Sequence, residues 1–108
     1  SQGIDIGNLV FTSGQLPLNM DTGEMETEIK AATKASLSNV KAILAEAGLT
    51  MDNVIKTTVF ISDMNNFAAM NEVYSTFFGE TAPARSCVEV ARLPKDVLVE
   101  IEAVAVRK

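Results

Sequence analysis

The sequence predicts an α+β fold: two helices on one face of a mixed sheet, with elements in the order β-β-α-β-α-β-β. Three observations lead there. Two segments repeat apolar residues at three- and four-residue steps, the remaining regular segments alternate or run in β-branched residues, and no third helical segment follows. Two helices cover one face of a sheet, so the other face needs something else against it. A second copy of the chain is the obvious cover.

Ile4 and Ile6, then Gly7-Asn8, then Leu9 to Thr12 read as two short strands joined by a tight turn. Ser13-Gly14-Gln15 follows, with the Gly marking a bend or a close backbone approach. Pro17 to Gly23 reads as a loop. From about Thr27 to Ala47, Ile29, Ala32, Leu37, Val40, Ile43, Leu44 and Ala47 recur at three- and four-residue steps, and Gly48 stands at the C-terminal capping position. Val54 to Ile61 is β-branched and reads as a strand. A second helix is expected from about Asn66 to Phe78, with Phe67, Met70, Val73, Tyr74 and Phe77 on its stripe and Asp63 or Asn65 as cap. Two final strands, Ala84 to Ala91 and Val97 to Val106, flank Arg92 to Asp96. In the last, Val97, Val99, Ile101, Ala103 and Ala105 share a face opposite Leu98, Glu100, Glu102, Val104 and Val106.

The 108 residues suit one domain with a modest core, which self-association would help. The net charge of -5 speaks against a surface that binds nucleic-acid phosphates. Cys87 is the only cysteine, so no intrachain disulfide forms and the cytoplasm is the expected compartment. No apolar stretch is long enough to cross a bilayer, and no signal peptide is visible, although the chain opens at Ser1 without a Met. The chain has no histidine. That removes the usual Ser-His-Asp and Cys-His mechanisms and the commonest metal ligand, so no metal site is expected.

Pro83 to Val90 carries the most chemistry. On a strand, Arg85, Cys87 and Glu89 point one way while Ser86, Val88 and Val90 point the other. A guanidinium among apolar strand residues is costly to bury unless it meets an anion, and its planar fork suits a carboxylate. An ion pair with an Asp or Glu at a strand edge or interface explains the same spacing. Glu100, one strand later, can serve as a general acid or base, or belong with Glu102 to a solvated face. Cys87 is a candidate nucleophile, though a lone Cys on a strand without His is more often a small buried hydrophobe. Ser13 and Gly14 offer a hydroxyl and an unobstructed N–H, or a simple strand end. Asn71 offers an amide to a pocket or to the helix surface.

Pro83 to Val106 reads P-A-R-S-C-V-E-V-A-R-L-P-K-D-V-L-V-E-I-E-A-V-A-V, strongly similar to the C-terminal signature of the Rid (YjgF) family. G-N-L-V-F-T-S-G-Q-L-P (Gly7 to Pro17), S-L-S-N-V-K-A-I-L-A-E-A-G (Ser36 to Gly48) and V-I-K-T-T-V-F-I-S-D-M (Val54 to Met64) extend the resemblance over essentially the whole chain. It implies a single Rid-like domain over residues 1–108, a chorismate-mutase-like fold, and a homotrimer with ligand clefts between subunits. The family usually has a further N-terminal strand, and a Tyr directly before the segment that here begins Ser1-Gln2-Gly3.

The activity implied is hydrolysis of 2-iminopropanoate and 2-iminobutanoate, or their enamine tautomers, to 2-oxo acids and ammonia, without a cofactor. These imines arise when pyridoxal-phosphate dehydratases act on serine and threonine. By position, Arg85 matches the arginine that holds the substrate carboxylate, and Glu100 the acid that orients the attacking water. Gly14 and Cys87 match cleft-lining positions, the latter partly through its backbone, and Ser13 and Asn71 are further substrate-binding matches. Rival readings remain: a non-catalytic trimer that binds 2-oxo acids or amino acids, a ribonuclease or translation inhibitor, and a chaperone-like holdase.

Overall fold

Left-handed backbone at Gly7 (φ 101°) reverses the chain between β1 (Gly3–Asp5) and β2 (Leu9–Thr12) in the computed structural model, which describes residues 1–108. Asp5 Oδ1 accepts from the Gly7 N–H at 2.8 Å, an Asx turn that fixes the hairpin. The chain continues through α1 (Ile29–Glu46), β3 (Val54–Ile61), α2 (Phe67–Ser75), β4 (Ala84–Glu89) and β5 (Val99–Val106). These strands form one five-stranded sheet in the order β1-β2-β5-β3-β4. Only β3 and β4 run parallel, because the α2 crossover returns the chain to the same end of the sheet.

Helix α1 turns Leu37, Val40 and Leu44 inward, all fully buried. They meet one face of the sheet, where Val59, Ile61, Val99 and Ile101 are equally inaccessible. Gly48 (φ 76°) ends α1 as expected, since a Cβ there would be strained. Glu28 caps its start by accepting from the Lys30 N–H at 2.5 Å.

Helix α2 starts at Phe67, where its stripe begins, but ends at Ser75, short of the expected Phe78. Asp63 does cap a helical turn, but a short 3-10 one over Met64–Asn66, while Asn65 contributes no cap. At the far end the Thr76 and Phe77 N–H groups bond the carbonyls three residues back, which tightens and closes the last turn. Phe77 and Phe78 still pack on the core beyond it.

The opposite sheet face lacks any such layer. Ile4, Phe11 and Val88 on it are 52%, 41% and 43% exposed, and Glu100, Glu102, Val104 and Val106 are half-buried. Neither helix is long and apolar enough to cross a membrane. Leu37→Ala removes a fully buried side chain from the α1–sheet contact and is expected to cost about 2–5 kcal/mol. Urea denaturation at one fixed protein concentration checks it: the midpoint falls while the slope is unchanged.

Candidate functional site

Parallel pairing sets the first half of the site. Thr57 on β3 lies opposite Arg85 on β4, and Val59 opposite Cys87, so all four face α2. The Arg85 guanidinium carbon sits 4.6 Å from the Tyr74 ring centroid and 5.4 Å from that of Phe67. Nη1 donates to Asn71 Oδ1 at 2.5 Å. Each of these supports comes from α2, where Phe67, Asn71 and Tyr74 lie on one face at three- and four-residue steps. No acid completes the arrangement. The three ion pairs of the chain join Lys30 to Glu72, Arg92 to Asp96 and Arg107 to Asp5. Arg85 is thus held by rings and one amide, and its remaining donors meet no carboxylate of its own chain.

Cys87 is half-buried one pleat further along. Burial pushes its thiol up, and the Arg85 charge offsets this only in part. A thiol kept protonated is a poor nucleophile, which speaks against Cys87 as an attacking group. Glu89 shares that face at the strand's end, exposed, and its Oε1 accepts from the Met64 N–H at 2.7 Å.

The second half of the site lies on the other sheet face. Glu100 on β5 is opposite Phe60 of β3, and Glu102 is opposite Thr58. Burial raises the Glu100 pKa above the usual carboxylate value, and the neighbouring Glu102 charge raises it further. Gly14 packs directly on this carboxylate: a Cβ built there would stand 1.9 Å from Glu100 Oε2. The adjacent Gln15 is fixed by reciprocal backbone bonds with Ile101 at 2.8 and 3.1 Å, so the loop cannot easily withdraw. Ser13 is exposed and its hydroxyl donates to the Ser1 carbonyl at 2.6 Å.

Arg85, Asn71 and Cys87 are therefore gathered on the helix side, while Glu100, Gly14 and the adjoining Ser13 belong to the other part of the fold. The first group and the second do not meet within one chain. A hollow of about 880 Å³ between the β1–β2 hairpin and α1 includes Gly14 but neither Arg85 nor Glu100. No group of three or more His, Cys, Asp or Glu is placed to hold a metal ion. Sequence reasoning missed Tyr74 and Phe67 as supports for Arg85. Both were legible only as members of an apolar stripe, and nothing in the sequence pairs β3 with β4.

The model of the family described as Endoribonuclease L-PSP matches residues 1–107. The chain is 56% identical to the 2-iminobutanoate/2-iminopropanoate deaminase of Escherichia coli K12, over 99% of its own length and 86% of the relative's. The chain belongs to the Rid (YjgF) family. This Rid chain is also 60% identical to a RutC family protein of Haemophilus influenzae, covering 99% of itself and 85% of that protein. Among solved structures, E. coli TdcF with bound serine superposes with a TM-score of 0.95 at 56% identity, covering 99% and 87% of the two chains. The E. coli YjgF gene product gives a TM-score of 0.95 at 55% identity, with the same shares covered.

The Gly14–Glu100 contact yields a test. Gly14→Ala must displace the Glu100 carboxylate or the Gln15–Ile101 bridge. The outcome expected is a folded protein with unchanged circular dichroism that has lost most of its turnover.

Proposed function

We propose that this chain is a hydrolytic deaminase that converts 2-imino acids, 2-iminopropanoate and 2-iminobutanoate, to 2-oxo acids and ammonia. The observation that carries it is the half-buried Arg85 guanidinium, backed by two rings and an amide and left without an acid. Such a fork is suited to a planar carboxylate. The deaminase relative from E. coli supplies the reaction. The serine bound in TdcF gives a small amino acid as a ligand of a closely similar fold.

The two separated half-sites fit a cleft shared between subunits. In a homotrimer, the uncovered face bearing Glu100 and Gly14 packs toward the neighbour's β4, which brings its Arg85, Asn71 and Cys87. This arrangement also covers Ile4, Phe11 and Val88, which otherwise leave apolar surface in water. The lone Cys87 and absence of disulfides suit the cytoplasm, beside the pyridoxal-phosphate enzymes that generate imines.

In the shared cleft Arg85 fixes the substrate carboxylate, and Asn71 keeps the guanidinium aimed. The substrate reacts as its protonated imine: Glu100 takes a proton from water as the oxygen adds to the iminium carbon, giving a neutral carbinolamine. It returns that proton to nitrogen, and as the C–N bond breaks the carboxylate takes the hydroxyl proton, so that the 2-oxo acid forms and ammonia leaves with that proton as ammonium. Neither a metal nor a histidine is needed. A net charge of -5 and the two glutamates on the open face disfavour binding of RNA, in spite of the name of the family model.

Arg85→Ala should abolish imine hydrolysis, and Arg85→Lys should rescue it poorly, because an ammonium supplies charge without the fork. Loss of such a pair costs about 2–5 kcal/mol, a factor of roughly thirty to several thousand. Imine supplied by a dehydratase and followed as 2-oxo acid is the measurement, and near wild-type rates in an intact Arg85→Ala trimer would refute the site. Glu100 must be ionised to act as base, so activity should fall as pH drops through its raised pKa. That limb lies above the usual carboxylate range of about 4.3, and Glu100→Gln should keep 2-oxobutanoate binding but lose the limb together with most of the rate.

Sharing of the cleft is tested by co-refolding Arg85→Ala with Glu100→Gln. Each mixed trimer would hold one cleft with both native residues, so activity should return on mixing two inactive proteins. Continued inactivity of mixed trimers, confirmed by sedimentation, would place Arg85 and Glu100 in separate sites.

A further inference from the structure

The Arg85 guanidinium is held in one direction, and the structure shows what holds it. Tyr74 is 4% exposed, and its ring lies under the guanidinium at 4.6 Å. Its hydroxyl is paired with Thr57 Oγ1 at 2.7 Å, a fully buried bond. Thr57, 1% exposed, is the residue directly opposite Arg85 in the β3–β4 register. Helix α2 and strand β3 thus hold the ring at two points, its Cα and its hydroxyl, and the guanidinium lies on the surface so fixed.

From this geometry we infer that Tyr74, tethered by Thr57, is a positioning residue for the substrate carboxylate, acting through Arg85. The inference rests on the deaminase reading for its ligand, but not for its mechanics. A phenol fits the task where Phe does not. The ring face attracts the cation through its quadrupole, while the hydroxyl stops the ring from rotating away, as an untethered phenyl group can. Burial raises the Tyr74 pKa, more than the Thr57 bond and the Arg85 charge lower it, so the phenol is neutral at physiological pH. Asn71 on α2 completes the cradle by accepting from Nη1, and Phe78 packs against Tyr74 at a centroid distance of 4.8 Å. The guanidinium is therefore immobilised before a substrate arrives. Pre-organisation of this kind saves the ordering cost that a free arginine side chain incurs on binding.

The test is a double-mutant cycle on the tether, with Thr57→Val and Tyr74→Phe, both close to isosteric. Two quantities are followed in the assembled protein: 2-oxobutanoate binding by calorimetry, and the Arg85 Nε–H resonance in nitrogen-15 NMR, assigned by its loss in Arg85→Lys. In the wild type that resonance should be ring-shifted and rigid. In each single variant it should move toward the position of a free arginine, and binding should weaken by about two- to ten-fold. The double variant should be no worse than the weaker single, since both changes cut one bond. Tyr74→Leu, which removes the aromatic face, should weaken binding further, to about thirty-fold.

An Arg85 resonance unchanged in both single variants would overturn the inference. So would binding losses that simply add, or a fall in melting temperature with binding intact, since each describes a core hydrogen bond and nothing more. A resonance that moves in both variants while the wild type binds no 2-oxobutanoate would uphold the clamp. It is then the deaminase reading that fails.

Discussion

Side chains alternate along a β-strand, and in this molecule helices cover only one of the two faces that alternation creates. Everything functional depends on that constraint. On β4, Arg85 and Cys87 turn toward α2 while Ser86 and Val88 turn away. On β5, Ile101 and Ala103 enter the core while Glu100 and Glu102 line the uncovered face. A one-residue slip of either strand would exchange its two sets, sending charge into the core and apolar residues out. The register is therefore held by the whole of the α1–sheet contact, and the core and the site are stabilised by the same burial.

Arg85 illustrates how a charged group is kept half-buried without a counter-ion. Two aromatic faces and an amide oxygen replace part of its hydration, and none of them neutralises it. An aspartate in the same place would hold it more strongly and occupy its fork. Glu100 is the opposite case. Burial and the charge of Glu102 both disfavour its ionised form. The two groups sit in contrasting environments, the guanidinium among rings and an amide and the carboxylate where its ionised form is disfavoured.

Gly14 shows the same economy at a backbone position. Its φ is ordinary, so turn geometry does not demand glycine there; the need comes from the Glu100 carboxylate occupying the space of a Cβ. Ser13, beside it, is engaged with the N-terminal Ser1 carbonyl and contributes nothing to that contact. Gly48 and Gly7 have the other reason for being glycine, positive φ at a helix end and at a hairpin turn.

The sequence by itself determined the α+β class, the strand at Val54–Ile61, the division of β5 into two faces and the glycine that ends α1. Each follows from periodicity or from a local backbone requirement, and such signals survive without tertiary context. The motif around Arg85 and Glu100 also marked both residues before any fold was known. The limits of α2 were decided otherwise: its stripe runs past Ser75, but the last turn tightens as Phe77 and Phe78 settle on the core. Strand order was equally beyond reach, because pairing β3 with β4 and β5 joins residues far apart in sequence. Only that pairing puts Thr57 beside Arg85 and under the Tyr74 hydroxyl, and only it sends Arg85 and Glu100 to opposite faces. A strand's alternation states which residues share a side. Which side meets a helix, and which is left open, is settled by the packing of the whole chain.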